Sequence, residues 1–488
     1  MIRRLANMTP PPSLATDDAA PARIVGVLAL AVLVLVPLQI IGAGYLPPDD
    51  ALRHAAKAVS GRDWLDILLL RPGTMDSSPG WHTVLAAVHH SFGADARALV
   101  VLQVVTLFLL VTVPPLFVLQ RPEPWIVALI AVAVLEPLLV ERLVVGRPLL
   151  LSMSVVVVLC LTWERLDSER VSRGAFAAVA AMIAAATWIH GAWYLFALPF
   201  AAFLLARPRA GLRFGAAAGV GVIAGALLTG SPIDFLWQHV QHVLLAFRGT
   251  QSAELVGEFR PYHGVPVLVV FLLLVITSRR LSEGAASPRS LFRDPVFLLG
   301  VIGWALGFRV ARFWLDWGLP AVLVLVARRL EGVWPATFSR RDQMVLVGAA
   351  LGTCFLVMTA DVGRRWSGAT RDDPYAALTA PEHRAALPDS GGILYAHDMK
   401  PFYDLFFTYP EAPWRYSTGY EPGLMPAEDL AVYRAAHFSR DVMALVPWAR
   451  KLRPEDRLVV RNERTAPPIP GLAWYHAGNG VWIGRTPR

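Results

Sequence analysis

Charge is scarce in this sequence. Only 17% of its 488 residues are charged, where soluble proteins sit near 25%, and 55% are hydrophobic with a mean hydropathy of +0.48. That balance excludes a soluble globular protein and indicates an integral membrane protein. Cysteine is nearly absent: Cys160 and Cys354 both lie in apolar runs, so neither a disulfide framework nor a zinc spacing exists. No internal repeat is visible, which argues against the pseudo-symmetric halves of many transporters. The net charge of +8 does not imply nucleic acid. The arginines sit mostly between apolar runs, the distribution of cytoplasmic loops.

The apolar runs predict about eleven membrane-spanning helices. The first, residues 24–45, has the ~20 residues that a span needs and exceeds the ~7–15-residue core of a signal peptide. It is read as an uncleaved span starting in the cytoplasm. Further spans are expected at 96–119, 125–140, 149–163, 175–206 (two short spans broken at His190-Gly191), 214–229, 265–277, 296–308, 317–327 and 344–360. A short outer turn is expected at 141–148 and a helix at 235–247 in a longer outer loop. Arg121, then Arg165, Arg170 and Arg173, then Arg207, Arg209 and Arg213, then Arg279, Arg280 and Arg293, then Arg328, Arg329, Arg340 and Arg341 all fall on the cytoplasmic side. The domains follow: a transmembrane unit at 1–360 with an outer loop at 46–80, and an extracytoplasmic unit at 361–488. In the latter, short strands at 392–396, 414–417, 457–461 and 473–476, a hairpin turn at Asn479-Gly480, and helices at 427–436 and 440–450 predict a small α/β domain.

Within the outer loop, Leu52, Ala55, Ala56 and Val59 recur at helical spacing with Arg53 and Lys57 on another face. This predicts an amphipathic helix lying in the membrane interface, with 64–70 a second interfacial patch. Asp49 and Asp50 precede it, after the Pro47-Pro48 turn. A boundary carboxylate is often merely hydrated. Two adjacent acids at the mouth of the first span can instead divide labour, one as general base and the other orienting it or holding an acceptor. Asp50 also suits a helix start, where the dipole favours negative charge.

The pattern of a span, then Pro47-Pro48-Asp49-Asp50, Arg53, Lys57 and Gly61-Arg62-Asp63-Trp64, resembles the first outer loop of GT-C membrane glycosyltransferases. The similarity is to the group of protein mannosyltransferases and lipid A aminoarabinose transferases. Phe92-Gly93, Glu141-Arg142 and Arg147-Pro148 extend it. Asp76-Ser77-Ser78-Pro79-Gly80 stands where that group carries a Lys-Pro-Pro segment. The resemblance covers roughly residues 24–330 in topology and about 60 residues in motif. It implies a GT-C-like fold and an enzyme that takes a sugar from a polyprenyl-phosphate donor, with Asp49 the catalytic acid.

Arg142, Arg147, Arg260, Arg309 and Arg312 are expected at outer ends of spans, against the usual bias. Arg142, Arg147, Arg309 and Arg312 are candidates to bind the donor phosphate, because guanidinium offers bidentate donors. Pairing of Arg309 or Arg312 with Asp316, or snorkelling to lipid headgroups, is the alternative. Asp76, Glu141, His190 and Trp193 are candidates for acceptor or sugar contacts, Trp193 with Trp188 and Tyr194 as an aromatic wall or an interfacial belt. Glu254 and Glu258 are weaker candidates for acceptor binding. His89-His90 and the His239/His242 pair lack a third ligand, so no metal or other cofactor is assigned. A divalent cation at Asp76 and Glu141 stays open. The expected function is inverting transfer of a sugar to a lipid, glycan or protein acceptor outside a bacterial-type inner membrane, with Asp49 and Asp50 catalytic and membrane lipid as the surroundings. The rival readings are a flippase of lipid-linked glycans, for which Glu136 is the intramembrane acid to watch, and an envelope scaffold.

Overall fold

A computed structural model describes residues 19–169, 171–248, 255, 260–262, 288–333, 340–368, 373–462 and 465–487. The expected span 265–277, and Arg170, Glu254, Glu258, His263, Arg279 and Arg280, lie outside the described residues.

The apolar runs form helices. Ala19–Gly42, Ala96–Thr112 with its continuation to Val118, Arg173–His190 and Pro208–Leu227 are each long and apolar enough to cross a bilayer. Leu138–Val144 and Leu149–Thr162 together would supply a fifth span but are bent by 117°. Shorter apolar helices run over Glu123–Leu135, Trp193–Ala206, Pro295–Gly307 and Met344–Thr359. Leu35, Leu205, Ile223 and Leu227 keep more than half their surface exposed, as lipid-facing positions do. Small residues let helices approach closely: a Cβ on Gly221 would meet the carbonyl of Ala180 at 2.5 Å, so Pro208–Leu227 packs against Arg173–His190 through a Gly221/Gly225 face.

Two local expectations change. The expected span 125–140 stops at Leu135, because Pro137 disfavours helical conformation at Glu136. The expected turn 141–148 is instead largely the helix Leu138–Val144, and the chain reverses at Gly146, whose φ of +66° suits glycine.

The arginine-rich loops meet at one end of the bundle. Arg328 pairs with Glu164 at 2.6 Å, Arg213 donates to the carbonyls of Leu166 and Ser168, and Arg207 donates to that of Arg293. Glu331 accepts from the amides of Gln120 and Arg121.

At the other end the loop after the first span forms the helix Asp50–Ser60. Asp49 is its N-cap, accepting the Asp50 amide at 2.5 Å, and Gly61 ends it in the left-handed region at φ +62°. The helix does not lie on a lipid surface. Ala51 through Ala56 are all buried, because Pro79–Phe92, Ala96–Thr112 and Lys400–Thr408 enclose it. Its charged face is matched by protein: Arg53 pairs with Asp50 at 3.1 Å and lies 5.1 Å from the Tyr420 ring, and Lys57 lies 5.8 Å from Trp64. Buried Gln103 fastens this helix to a span, accepting from Trp81 Nε1 at 2.9 Å and donating to the Ala51 carbonyl at 3.1 Å. Gln103→Leu would orphan both groups. The expected cost is about 1–3 kcal/mol per group, read as a lower unfolding temperature in detergent.

Past residue 373 the chain forms a five-stranded sheet of β1 (Ile393–Ala396), β2 (Arg415–Tyr416), β3 (Arg457–Arg461), β4 (Ala473–Gly478) and β5 (Val481–Arg485), in the order β2-β1-β3-β5-β4. β1 runs parallel to β2 and β3, and β5 antiparallel to β3 and β4. Asn479 and Gly480, both at positive φ, turn the β4–β5 hairpin as their sequence predicts. The segment expected as a second interfacial patch is instead a short helix, Trp64–Ile67, whose exit docks on β2. Leu68 bridges Tyr416, and the Leu69 amide donates to the Tyr416 carbonyl at 2.8 Å. One continuous core therefore runs from the membrane helices through Trp64 into Phe402, Phe406 and Tyr416.

Lys400–Thr408 carries a second ionic group, in which Lys400 meets Asp373 at 2.8 Å and Asp404 at 2.5 Å. Burial, with Asp373 alongside, pushes the Asp404 carboxyl up to about 7 despite Lys400. A raised folded-state pKa gives stability that is complete below the unfolded value near 3.9 and lost as pH climbs through 7. Stability should therefore fall between about pH 4 and 7 and level off above that, and Asp404→Asn should flatten that fall in a thermal-unfolding series.

Candidate active site

The Asp50–Ser60 helix, the loop before Pro79, the turn at Arg147, the end of Arg173–His190, Arg312, and the 399–424 region surround one cavity of about 450 Å³. Asp49, Asp50, Arg53, His54, Arg147, His190, Arg312, Tyr403, Tyr420 and Glu421 line it.

The acids sit where the local fold puts them. Capping directs Asp49 toward the start of its helix, and Asp50 occupies the first turn. Arg147 reaches both: it pairs with Asp49 and lies 3.4 Å from Asp50. Burial alone would raise the Asp50 carboxyl, but the Arg53 and Arg147 guanidiniums outweigh it and hold it well below the usual carboxylate range. It is ionised at neutral pH.

Behind this pair lies a second one. Trp314–Gly318 forms a π-helical turn that projects Asp316, fully buried, toward Arg142. Arg142 grips both its oxygens, at 2.6 and 2.8 Å, and Arg312 approaches from the cavity at 3.2 Å. Asp316 thereby fixes the orientation of Arg312.

The expected site residues separate into those that converge and those that do not. Asp49, Asp50, Arg147, Arg312 and His190 converge on the cavity. Arg142 is buried behind it with Asp316 and positions rather than lines. Arg309 is exposed and does not line it: the turn after Pro295–Gly307 carries it outward, while Arg312, one helical turn on, faces in. Glu141 is likewise exposed, on the outer face of the helix Leu138–Val144. Trp193 stacks edge-on against Tyr194 at 6.2 Å, and Tyr194, not Trp193, reaches the cavity. Asp76 does not line it either; it binds His82 at 2.5 Å. Among the described residues no three acid, histidine or cysteine side chains converge as a metal site. His239 lines the cavity with its Nδ1 on the Phe235 carbonyl at 2.8 Å. His89 and His90 pack on each other outside it.

No local sequence pattern marks Tyr403, Tyr420, Glu421 or Gln238, which also line the cavity. Gln238 is held by exchange with the Met75 backbone at 2.7 and 3.0 Å, and Tyr420 by Ser77 at 2.7 and 2.8 Å. Arg53 is visible within the helix pattern; for His54 the available signal is a histidine five residues after the N-cap acid.

No family model matches the chain, and no curated protein matches it. Solved structures do match. ArnT from Cupriavidus metallidurans in the apo state aligns with a TM-score of 0.56 at 15% identity, over 94% of this chain and 97% of that one. The arabinofuranosyltransferase AftD from Mycobacteria aligns with a TM-score of 0.50 at 18% identity over 96% of this chain, which spans only 40% of AftD. Both are GT-C membrane glycosyltransferases, and this helical chain, with its apolar candidate spans, has their fold.

Proposed function

We propose that the chain transfers a sugar from a polyprenyl-phosphate donor to an acceptor on the outer face of the membrane. The observation that carries this reading is the convergence of Asp49, Arg147 and Arg312 on one cavity beside the membrane helices. With eleven spans and the N-terminus inside, the arginine-rich end is cytoplasmic. The cavity and the C-terminal sheet then face outward, as expected of a plasma-membrane enzyme of bacterial type.

In this reading Arg147 and Arg312 take the donor phosphate. Asp49 engages the acceptor hydroxyl or amine, and the acceptor attacks the anomeric carbon in line. The C–O bond to phosphate breaks with its electron pair, and polyprenyl phosphate leaves. Charge gathers on the leaving phosphate, where fixed guanidiniums stabilise the transition state and no leaving-group proton is needed. A single displacement inverts the anomeric centre. Tyr194, Tyr403 and Tyr420 offer faces and hydroxyls for sugar and acceptor.

Farnesyl phosphate tests the donor half of this reading. It should bind the full chain in nanodiscs at least tenfold more tightly than farnesol, and Arg147→Gln should remove that preference while the fold survives. Equal binding of the two prenyl compounds, or a preference that persists in Arg147→Gln, would overturn the assignment.

A further inference from the structure

A chain of hydrogen bonds leads out of the cavity beside Asp49. His54 lines the cavity, and its Nδ1 lies 2.7 Å from His82 Nε2. His82 Nδ1 lies 2.5 Å from Asp76 Oδ2, and Asp76 Oδ1 accepts the Ser78 amide at 2.9 Å. Both imidazoles are buried, at 2% and 7% exposure. The Trp64 ring packs on His82 at 5.6 Å. The charged groups around the two rings are Asp50 and Arg53 on the helix of His54, and Asp76 with Lys57 beyond it.

The proton positions follow from the geometry. Burial would raise the Asp76 carboxyl, but His82 and the Ser78 amide outweigh it, so Asp76 is an ionised acceptor. His82 Nδ1 therefore donates to it. With one proton on each ring, His82 Nε2 must then accept from His54 Nδ1. That leaves the lone pair of His54 Nε2, which has no hydrogen-bond partner among the described residues. Asp49, by contrast, already accepts from Arg147 and from the Asp50 amide.

We infer that His54 is the proton acceptor of the transfer, with His82 and Asp76 as its positioning relay. This rests on the glycosyl-transfer reading. As the acceptor oxygen bonds to the anomeric carbon and the phosphate leaves with its electron pair, the acceptor proton moves to His54 Nε2. The Nδ1 proton of His54 passes to His82 Nε2. The positive charge then rests on His82, against the Asp76 carboxylate, while Asp49 holds the acceptor in place.

The test uses the full chain, labelled with 15N-histidine in nanodiscs, with His54→Gln to assign the resonance. At pH 7 the His54 signals should show a protonated Nδ1 and a bare Nε2, and Asp76→Asn should shift both rings. A protonated Nε2 on His54, or a His54 signal indifferent to Asp76→Asn, would overturn the relay. In transfer from a polyprenyl-phosphate sugar, His54→Gln should lower kcat about 10²-fold or more with KM within about twofold. An unchanged kcat would also overturn it. Failure of the wild-type chain to turn over any such donor would instead sink the underlying reading and the catalytic role with it, while the resonances still report whether the hydrogen-bonded chain exists.

Discussion

Asp49→Asn is expected to lower sugar transfer about 10²–10³-fold, the typical loss when one fixed electrostatic partner of a reacting group is removed. The variant should still fold. Asparagine remains a good N-cap, and its side-chain oxygen can still accept the Asp50 amide. What disappears is the charge that faces Arg147 and, in the proposed reading, the group that grips the acceptor. Donor binding should move the other way. Asp49 and the donor phosphate compete for Arg147, so farnesyl phosphate should bind Asp49→Asn at least as tightly as the wild type. Calorimetry or a fluorescence titration beside a transfer assay separates the two effects. Loss of both binding and transfer would mean that Asp49 serves only the local structure.

Asp316→Ala is expected to cost about 3–5 kcal/mol of stability, because it strands the buried Arg142 guanidinium without its bidentate partner. The chain should unfold well below the wild-type temperature in detergent. Replacing the pair together, as Arg142→Met with Asp316→Leu, should recover most of that loss, since an apolar pair of similar volume avoids the desolvation of both charges. Activity should not recover with it. Asp316 also holds Arg312 at 3.2 Å, and an unheld Arg312 no longer meets the donor phosphate in a fixed geometry. A stable but slow double variant would separate the structural part of this ion pair from its positioning part.

The sequence carried the local features well and the long-range ones poorly. Pro47-Pro48-Asp49-Asp50 and Gly61 mark the two ends of the Asp50–Ser60 helix, and both capping signals act within a few residues. The strands at 393–396 and 457–461 and the Asn479-Gly480 turn were legible for the same reason. The interfacial reading of that helix failed because an alanine-rich stripe opposite Arg53 and Lys57 looks alike whether lipid or protein covers it. Here Tyr420 and Trp64 take the basic side chains. Tyr403 and Tyr420 reach the cavity from some 350 residues away, through packing of Lys400–Thr408 on the helix, and no local pattern announces that contact. Arg309 and Arg312 lie three residues apart and were indistinguishable in sequence. The turn at 308–310 and the π-helical turn that follows decide which of them faces Asp316.

Consumption of a lipid-linked donor is the step on which glycosyl transfer by this chain depends. The chain in proteoliposomes, offered a panel of polyprenyl-phosphate pentoses and hexoses with radiolabelled sugar, should release polyprenyl phosphate from at least one of them, and Asp49→Asn should release it about 10²–10³-fold more slowly. Release from none of the panel by a folded wild-type chain, or equal release by Asp49→Asn, would contradict the proposed transfer.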